Sequence, residues 1–406
     1  MSNVLRPATE WELKSMIASL AEQQVPVEVV GAGSKRGCGR PVAATHILTT
    51  GMLRGVTLYE PTELVMSARC GTPLSQIEVE LASRGQMLPF EPIDLGPLLG
   101  QQPGLQTIGG VFGANLSGSR RFVAGAARDH VLGVQGINGR AETFKSGGRV
   151  MKNVTGYDVA RGLIGSWGTL AILTEITFKV LPLPDDVATL IYTGLTDELA
   201  AELMCAAAGS PFEVSGAVHL TPALARRLKT GELANENKSI TALRIENFSK
   251  SVEYRMGRLK DLLIAFGKPI EFDLDLSLKF WGEMRRLSVL PFAGTHIWRI
   301  STSAPKGPKL AAAIRRHVPI EVLYDWSGGL LWVEAQPAAD AGAADVRRAV
   351  ASFGGHATLM RAEEAVRRQV QVFQPLSPAL ARITQGLKAA FDPQGIFNPG
   401  RMYATL

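Results

Sequence analysis

The chain has 406 residues, 46% of them hydrophobic, and carries 43 Lys and Arg against 37 Asp and Glu, a formal net charge of +6. That length allows a large core and two or three domains, and no apolar run reaches the roughly 18 residues of a membrane span. The three cysteines, Cys38, Cys70 and Cys205, stand too far apart for a CxxC pair or an iron–sulfur run. The basic residues are scattered in pairs such as Arg120-Arg121 and Arg285-Arg286 with few aromatics between them, which argues against nucleic acid as a partner.

In chain order, Trp11, Leu13, Met16, Ile17 and Leu20 recur at helical spacing and predict a helix over Glu10 to Gln24. Arg6, Glu10 and Glu12 interrupt the apolar run a signal peptide needs, so a cytoplasmic location is expected. Strands are expected over Val27 to Val30, His46 to Leu48 and Glu63 to Ala68, and a helix over Pro73 to Arg84. Asn138-Gly139, between two apolar runs, predicts a hairpin turn. The β-branched run Thr169 to Val180 predicts a long strand, and Leu181 to Asp186 then breaks the pattern as a domain boundary. From about 187 to 370 helices and strands alternate, which predicts an α+β layer with an antiparallel sheet. A last helix, Ala379 to Phe391, runs into the turn-rich tail Asp392-Pro393-Gln394-Gly395-Ile396-Phe397-Asn398-Pro399-Gly400-Arg401.

Two glycine-rich segments carry the chemistry. Gly31-Ala32-Gly33-Ser34-Lys35 follows a strand, and glycines there let successive N–H groups face one phosphate. The dinucleotide fingerprint GxGxxG is not matched, because position 36 is Arg. Thr107-Ile108-Gly109-Gly110-Val111-Phe112-Gly113-Ala114-Asn115-Leu116-Ser117-Gly118 is the second, small and almost uncharged, suited to a backbone lying along a pyrophosphate. Gly165-Ser166-Trp167-Gly168-Thr169 is a third glycine-punctuated turn. Each alone reads equally as a structural turn. Together they suggest a long, flat, phosphorylated ligand such as a dinucleotide.

In this order the three segments resemble the FAD-binding domain of the vanillyl-alcohol oxidase / p-cresol methylhydroxylase superfamily. Gly148-Arg149-Val150-Met151-Lys152-Asn153-Val154-Thr155-Gly156-Tyr157-Asp158 is similar to a stretch of its FAD-linked oxidases, and Phe391 to Arg401 to its closing motif. With Asp325 to Trp332 and Gly354 to Leu359, the whole chain resembles the FAD-binding subunits of glycolate oxidases. The resemblance implies an α+β fold: a two-lobed FAD-binding domain of p-cresol methylhydroxylase (PCMH) type over residues 1–184, an antiparallel-sheet cap over 185–370, and a segment 371–406 returning to the first domain. It implies that Gly31, Ala32, Gly33, Ser34 and Lys35 wrap the FAD pyrophosphate, that Thr107, Gly109 and Gly110 line the flavin side, and that Asn115 and Ser117 hydrogen-bond the cofactor. Gly168, Thr169 and Ile172 would line the adenine or ribitol end.

The first loop, Ser34-Lys35-Arg36-Gly37-Cys38, lacks the His through which several family members attach FAD, so non-covalent FAD is expected. His46, His130, His219, His296, His317 and His356 are isolated in sequence, which gives no support for a substrate metal. His356, Trp326 and Arg401 are the candidate catalytic residues, with Arg401 and Lys152 placed to stabilise negative charge on a reduced flavin. The resemblance implies oxidation of glycolate or a related 2-hydroxy acid. It also implies a second FAD-linked subunit, an iron–sulfur subunit as electron exit, and peripheral association with the cell membrane through that complex. A self-sufficient FAD dehydrogenase for another alcohol and a flavin-free scaffold subunit are the alternatives.

Overall fold

The computed structural model describes residues 3–149, 156–231, 233 and 237–406. Lys152, and with it the middle of the Gly148–Asp158 motif, lies outside them.

The first lobe is a three-stranded parallel sheet in the order Asn3–Leu5, His46–Thr49, Val27–Val30. The helix Glu10–Glu22 connects its first two strands in sequence; Thr9 caps it by accepting from the Glu12 N–H, and Leu13, Ile17 and Leu20 are buried. The C-terminal tail extends this sheet. Val27 N–H donates to Ile396 O and Asn398 N–H to Val27 O, a parallel bridge formed between residues 370 positions apart in sequence.

The second lobe is a five-stranded antiparallel sheet in the order Val56–Glu60, Val65–Arg69, Ala171–Lys179, Val131–Asn138, Thr143–Gly147. The hairpin expected at Asn138-Gly139 forms, but its left-handed residue is Ala141 (φ 58°). Gly139 has another reason to be glycine: a Cβ there would overlap the Asp392 carboxylate, and its N–H donates to Phe391 O. The turn glycine is the seat of the C-terminal tail.

The cap is an eight-stranded, wholly antiparallel sheet in the order Ile270–Phe272, Asp186–Thr193, Ile240–Asn247, Val214–Leu220, Ile320–Asp325, Leu330–Ala335, His296–Ser301, His356–Arg361. Asp186–Thr193, Ile270–Phe272 and His356–Arg361 were not expected as strands from sequence. Period-two alternation sends Trp298 and Ile300 into one core, packed by the helices Asp197–Ala208, Ser249–Leu262, Gly307–Arg315 and Ala343–Phe353. It sends Ile297, Trp332 and Met360 into a second core, shared with Ile93, Leu95, Leu98, Ala114 and Leu116 of the preceding 184 residues.

Ion pairs span the same seam. Arg244 donates to both Glu91 oxygens at 2.8 and 3.1 Å, and Arg120 pairs with Glu246 at 2.9 Å. Among the described residues no helix is long and apolar enough to cross a membrane.

Candidate functional site

A cleft opens where the two lobes meet, lined by residues of both. One wall is the loop that leaves the strand Val27–Val30, with Gly33 at φ +77°. A Cβ on Gly31 would overlap the Thr107 hydroxyl, so this loop lies directly against the second glycine segment.

That second segment is not the extended cradle the sequence suggested. Its first half is a short helix, Ile108–Ala114, with Thr107 as N-cap: Thr107 Oγ1 accepts from Gly110 N–H at 3.2 Å. The two neighbouring glycines differ in their reason. A Cβ on Gly109 would sit 2.7 Å from Cys70 Cβ, so Gly109 is required by packing. On Gly110 a Cβ meets only Thr107 Oγ1 at 3.4 Å and Lys35 Nζ at 3.9 Å, and on Gly113 it meets nothing within 4 Å. The helix presents a bare face to the cleft.

The far wall is the turn Ser166–Gly168 with Ala171, Ile172 and Leu173 of the adjoining strand. Asn398 ties the walls together. Its Oδ1 accepts from Val29 N–H at 2.8 Å, and its Nδ2 donates to Trp167 O at 2.8 Å. Asp392 organises the tail that presents it, accepting from Lys388 Nζ and from the N–H groups of Ile396 and Phe397. Asn398 and Trp167 were missed from sequence as cleft residues; the signal for Asn398 was the tail motif, whose Asp392, Asn398 and Arg401 are buried.

The cleft is cationic. Lys35 Nζ donates to Gln106 Oε1 at 3.1 Å, and burial pushes its pKa down to about 8. Arg401 donates to Lys35 O at 2.8 Å, lies 3.6 Å from Glu28, and keeps a buried Nε without a partner. Of the residues expected to hold a cofactor, Gly31, Ala32, Gly33, Ser34, Lys35, Thr107, Gly109, Gly110, Gly168 and Ile172 line the cleft, and Arg401 joins them.

Asn115, Ser117 and Thr169 do not appear in that lining. Asn115 is the left-handed C-cap of the short helix and accepts from Arg128 N–H at 3.0 Å. Ser117, fully buried, accepts from Ala127 N–H, and the Thr169 hydroxyl donates to Ser166 O. Their hydrogen bonds shape the loops around the site.

The other two catalytic candidates lie together, on the cap. Trp326 donates from Nε1 to Gly118 O at 2.9 Å. The Arg121 guanidinium stands 4.3 Å from its ring centre and that of Arg299 5.1 Å. His356 heads a strand in the same neighbourhood; its ring is exposed at the strand's start, but crowding by surrounding atoms, then Arg299, Arg121 and Arg347, lower its pKa. Trp167, on the cleft wall, packs against the cluster that holds Trp326 and Trp332.

Glycine-lined space, a half-buried lysine and an orphaned guanidinium nitrogen fit a flat, anionic cofactor. Residues 1–147 match the family described as FAD binding domain. The chain is 36% identical over 397 residues, 97% of each protein, to glycolate oxidase subunit GlcE of Escherichia coli (strain K12). It is 27% identical over 190 residues to glycolate oxidase subunit GlcD of Bacillus subtilis (strain 168), covering 46% of this chain and 38% of that protein. The structure of p-cresol methylhydroxylase with substrate bound is similar in fold, with a TM-score of 0.74, 13% identity, and coverage of 99% of this chain and 88% of that one. Two lobes, an antiparallel cap and near-complete alignment with GlcE place the chain in the glycolate oxidase GlcE family, FAD-dependent oxidoreductases with a PCMH-type fold.

Proposed function

We propose that this chain is the FAD-binding subunit of an assembly that oxidises glycolate or a related 2-hydroxy acid to the 2-oxo acid. The cleft between the lobes carries the reading, supported by its bare glycine face and its two cations, Lys35 and the buried Arg401. FAD, held there without a covalent bond, would accept a hydride from the substrate α-carbon. Gly31 to Lys35 and the first turn after Thr107 would take the pyrophosphate. Gly168 and Ile172 would line the opposite side, and Arg401 would place positive charge where the reduced cofactor gains negative charge. Asn115, Ser117 and Thr169 would hold these loops rather than touch the ligand. The chain divides at about residues 184 and 370, with the tail returning to complete the cleft.

The proposed partners are a second FAD-linked subunit and an iron–sulfur subunit, since Cys38, Cys70 and Cys205 do not form a cluster motif. The purified chain should be yellow, and acid precipitation should release all of its flavin. Alone it should reduce little dye with glycolate, and the two partner subunits should restore turnover. Full activity from the chain alone would favour the self-sufficient dehydrogenase. A colourless, flavin-free chain that still supports its partners would favour the scaffold.

Lys35 adds a pH signature. Without a ligand its ammonium loses its proton above about pH 8. An anion in the cleft restores it, so binding takes up a proton. FAD affinity is expected to fall as pH rises above that point, by up to about tenfold per pH unit. Fluorescence titration of FAD from pH 7 to 10 measures this, and Lys35→Gln should flatten the slope. A wild-type profile level across that range would remove Lys35 from the pyrophosphate site.

A further inference from the structure

Arginines along the seam between the cap and the lobes are otherwise well partnered. Arg244 holds Glu91, Arg120 holds Glu246, Arg361 donates to the carbonyls of Thr295 and Leu98, and Arg367 donates to Gly39 O. Arg121 and Arg299 are not: among the described residues neither guanidinium makes a hydrogen bond or an ion pair. They come from opposite sides of the seam, Arg121 from the short helix Arg121–Ala124 and Arg299 from the cap strand His296–Ser301, and meet on the ring of Trp326. Arg299 also lies 5.9 Å from the ring of Trp332, its neighbour across the strands. Arg299 Nε and Trp332 Nε1 are both buried donors without an acceptor.

The nearest carboxylates are engaged elsewhere. Asp325 accepts from the Ser119 hydroxyl at 2.8 Å and from Trp326 N–H at 2.7 Å, and burial raises its pKa to about 7. Asp129 accepts from Ala126 N–H at 2.8 Å. Asp325 acts on Arg299 and Asp129 on Arg121 only through space, and burial, then Arg121, still push the pKa of Arg299 down to about 10.

We propose that Arg121 and Arg299 form a carboxylate-binding site for the substrate, with the Trp326 and Trp332 rings as its apolar walls and His356 at its edge. A guanidinium matches a planar carboxylate through two parallel hydrogen bonds. This deepens the 2-hydroxy-acid reading above and rests on it. It also assigns the site to this chain itself, at the junction of cap and lobe, rather than to a partner alone.

The test titrates oxalate, a dicarboxylate that has no hydride to give, into the purified full chain at constant ionic strength. Heat of binding and tryptophan fluorescence are followed. Saturable one-to-one binding is expected, weakened about tenfold or more by Arg121→Gln and by Arg299→Gln, as loss of a charge-assisted hydrogen bond implies. Flavin content should not change. Arg299→Lys should recover part of the affinity, and Arg299→Gln should melt no lower than wild type, because it removes an unpaired charge whose Nε is buried. Should Arg299→Gln fail to fold, Arg121→Gln decides. Oxalate affinity equal to wild type in the folded variants, or no binding to the wild type, overturns the proposal. A chain that holds flavin but not oxalate fails the carboxylate site and keeps the FAD reading. One that holds oxalate but no flavin does the reverse.

Discussion

Gly110→Val is expected to leave the chain folded and to strip it of cofactor. The helix Ile108–Ala114 has room for the new side chain on its own account: a Cβ at Gly110 touches only Thr107 Oγ1 at 3.4 Å and Lys35 Nζ at 3.9 Å. Valine is a somewhat better helix former than glycine, so the melting temperature of the flavin-free protein should hold or rise slightly. The branched side chain instead projects into the space that FAD would fill. Overpacking of this kind costs about 1–3 kcal/mol, which corresponds to a loss of about five- to 150-fold in affinity. Gly109→Val is the matching control with the opposite failure. Its Cβ would stand 2.7 Å from Cys70 Cβ and 2.8 Å from Cys70 O, so it should lose the fold itself. Thermal melts with and without added FAD, together with flavin content, separate the two. Normal flavin occupancy in Gly110→Val would move the pyrophosphate away from this helix.

Glu91→Gln is expected to be the most destabilising isosteric change at the seam. Glu91 is buried and left-handed (φ 50°), and it accepts from Arg244 at 2.8 and 3.1 Å with Arg120 at 3.8 Å. Burial alone would raise its pKa; Arg244 and then Arg120 more than reverse that and hold it at about 2. Glutamine keeps the shape but leaves Arg244, only 1% exposed, beside Arg120 with Glu246 as the remaining acid. Breaking a buried pair from one side costs about 3–5 kcal/mol. The pH dependence follows from the sign of the shift. A carboxylate with a depressed pKa stabilises the fold above its unfolded value of 4.5 and loses that contribution as pH falls toward 2. The wild type should therefore lose stability over that interval more steeply than Glu91→Gln, which has no proton to take up. Chemical denaturation at pH 7 and pH 3.5 measures both effects. A variant within 1 kcal/mol of wild type at pH 7 would show that the pair does not join cap to lobe, on the usual scale of surface changes of about 0.5 kcal/mol.

The local chemistry of the sequence determined much of the first lobe and the cleft. The helix Glu10–Glu22 follows from periodicity and the strand Val27–Val30 from its β-branched run, and Gly31 to Lys35 reach the cleft wall because this strand ends at Gly31. Local signals failed where a residue serves a distant partner. Gly139 read as a turn residue, and only folding shows that it makes room for Asp392. Asn115, Ser117 and Thr169 read as ligands; their side chains are consumed by backbone groups three to thirteen residues away. The strand His356–Arg361 was hidden behind Gly354-Gly355, because one partnered edge suffices to order an edge strand. Hardest to read were Asn398, which joins Val29 to Trp167 across 369 and 231 positions, and the meeting of Arg121 with Arg299 on Trp326. Sequence spacing carries the geometry of one turn or one strand. Convergence across a seam is set by how whole sheets pack, and only the tertiary structure brings those charges to one ring.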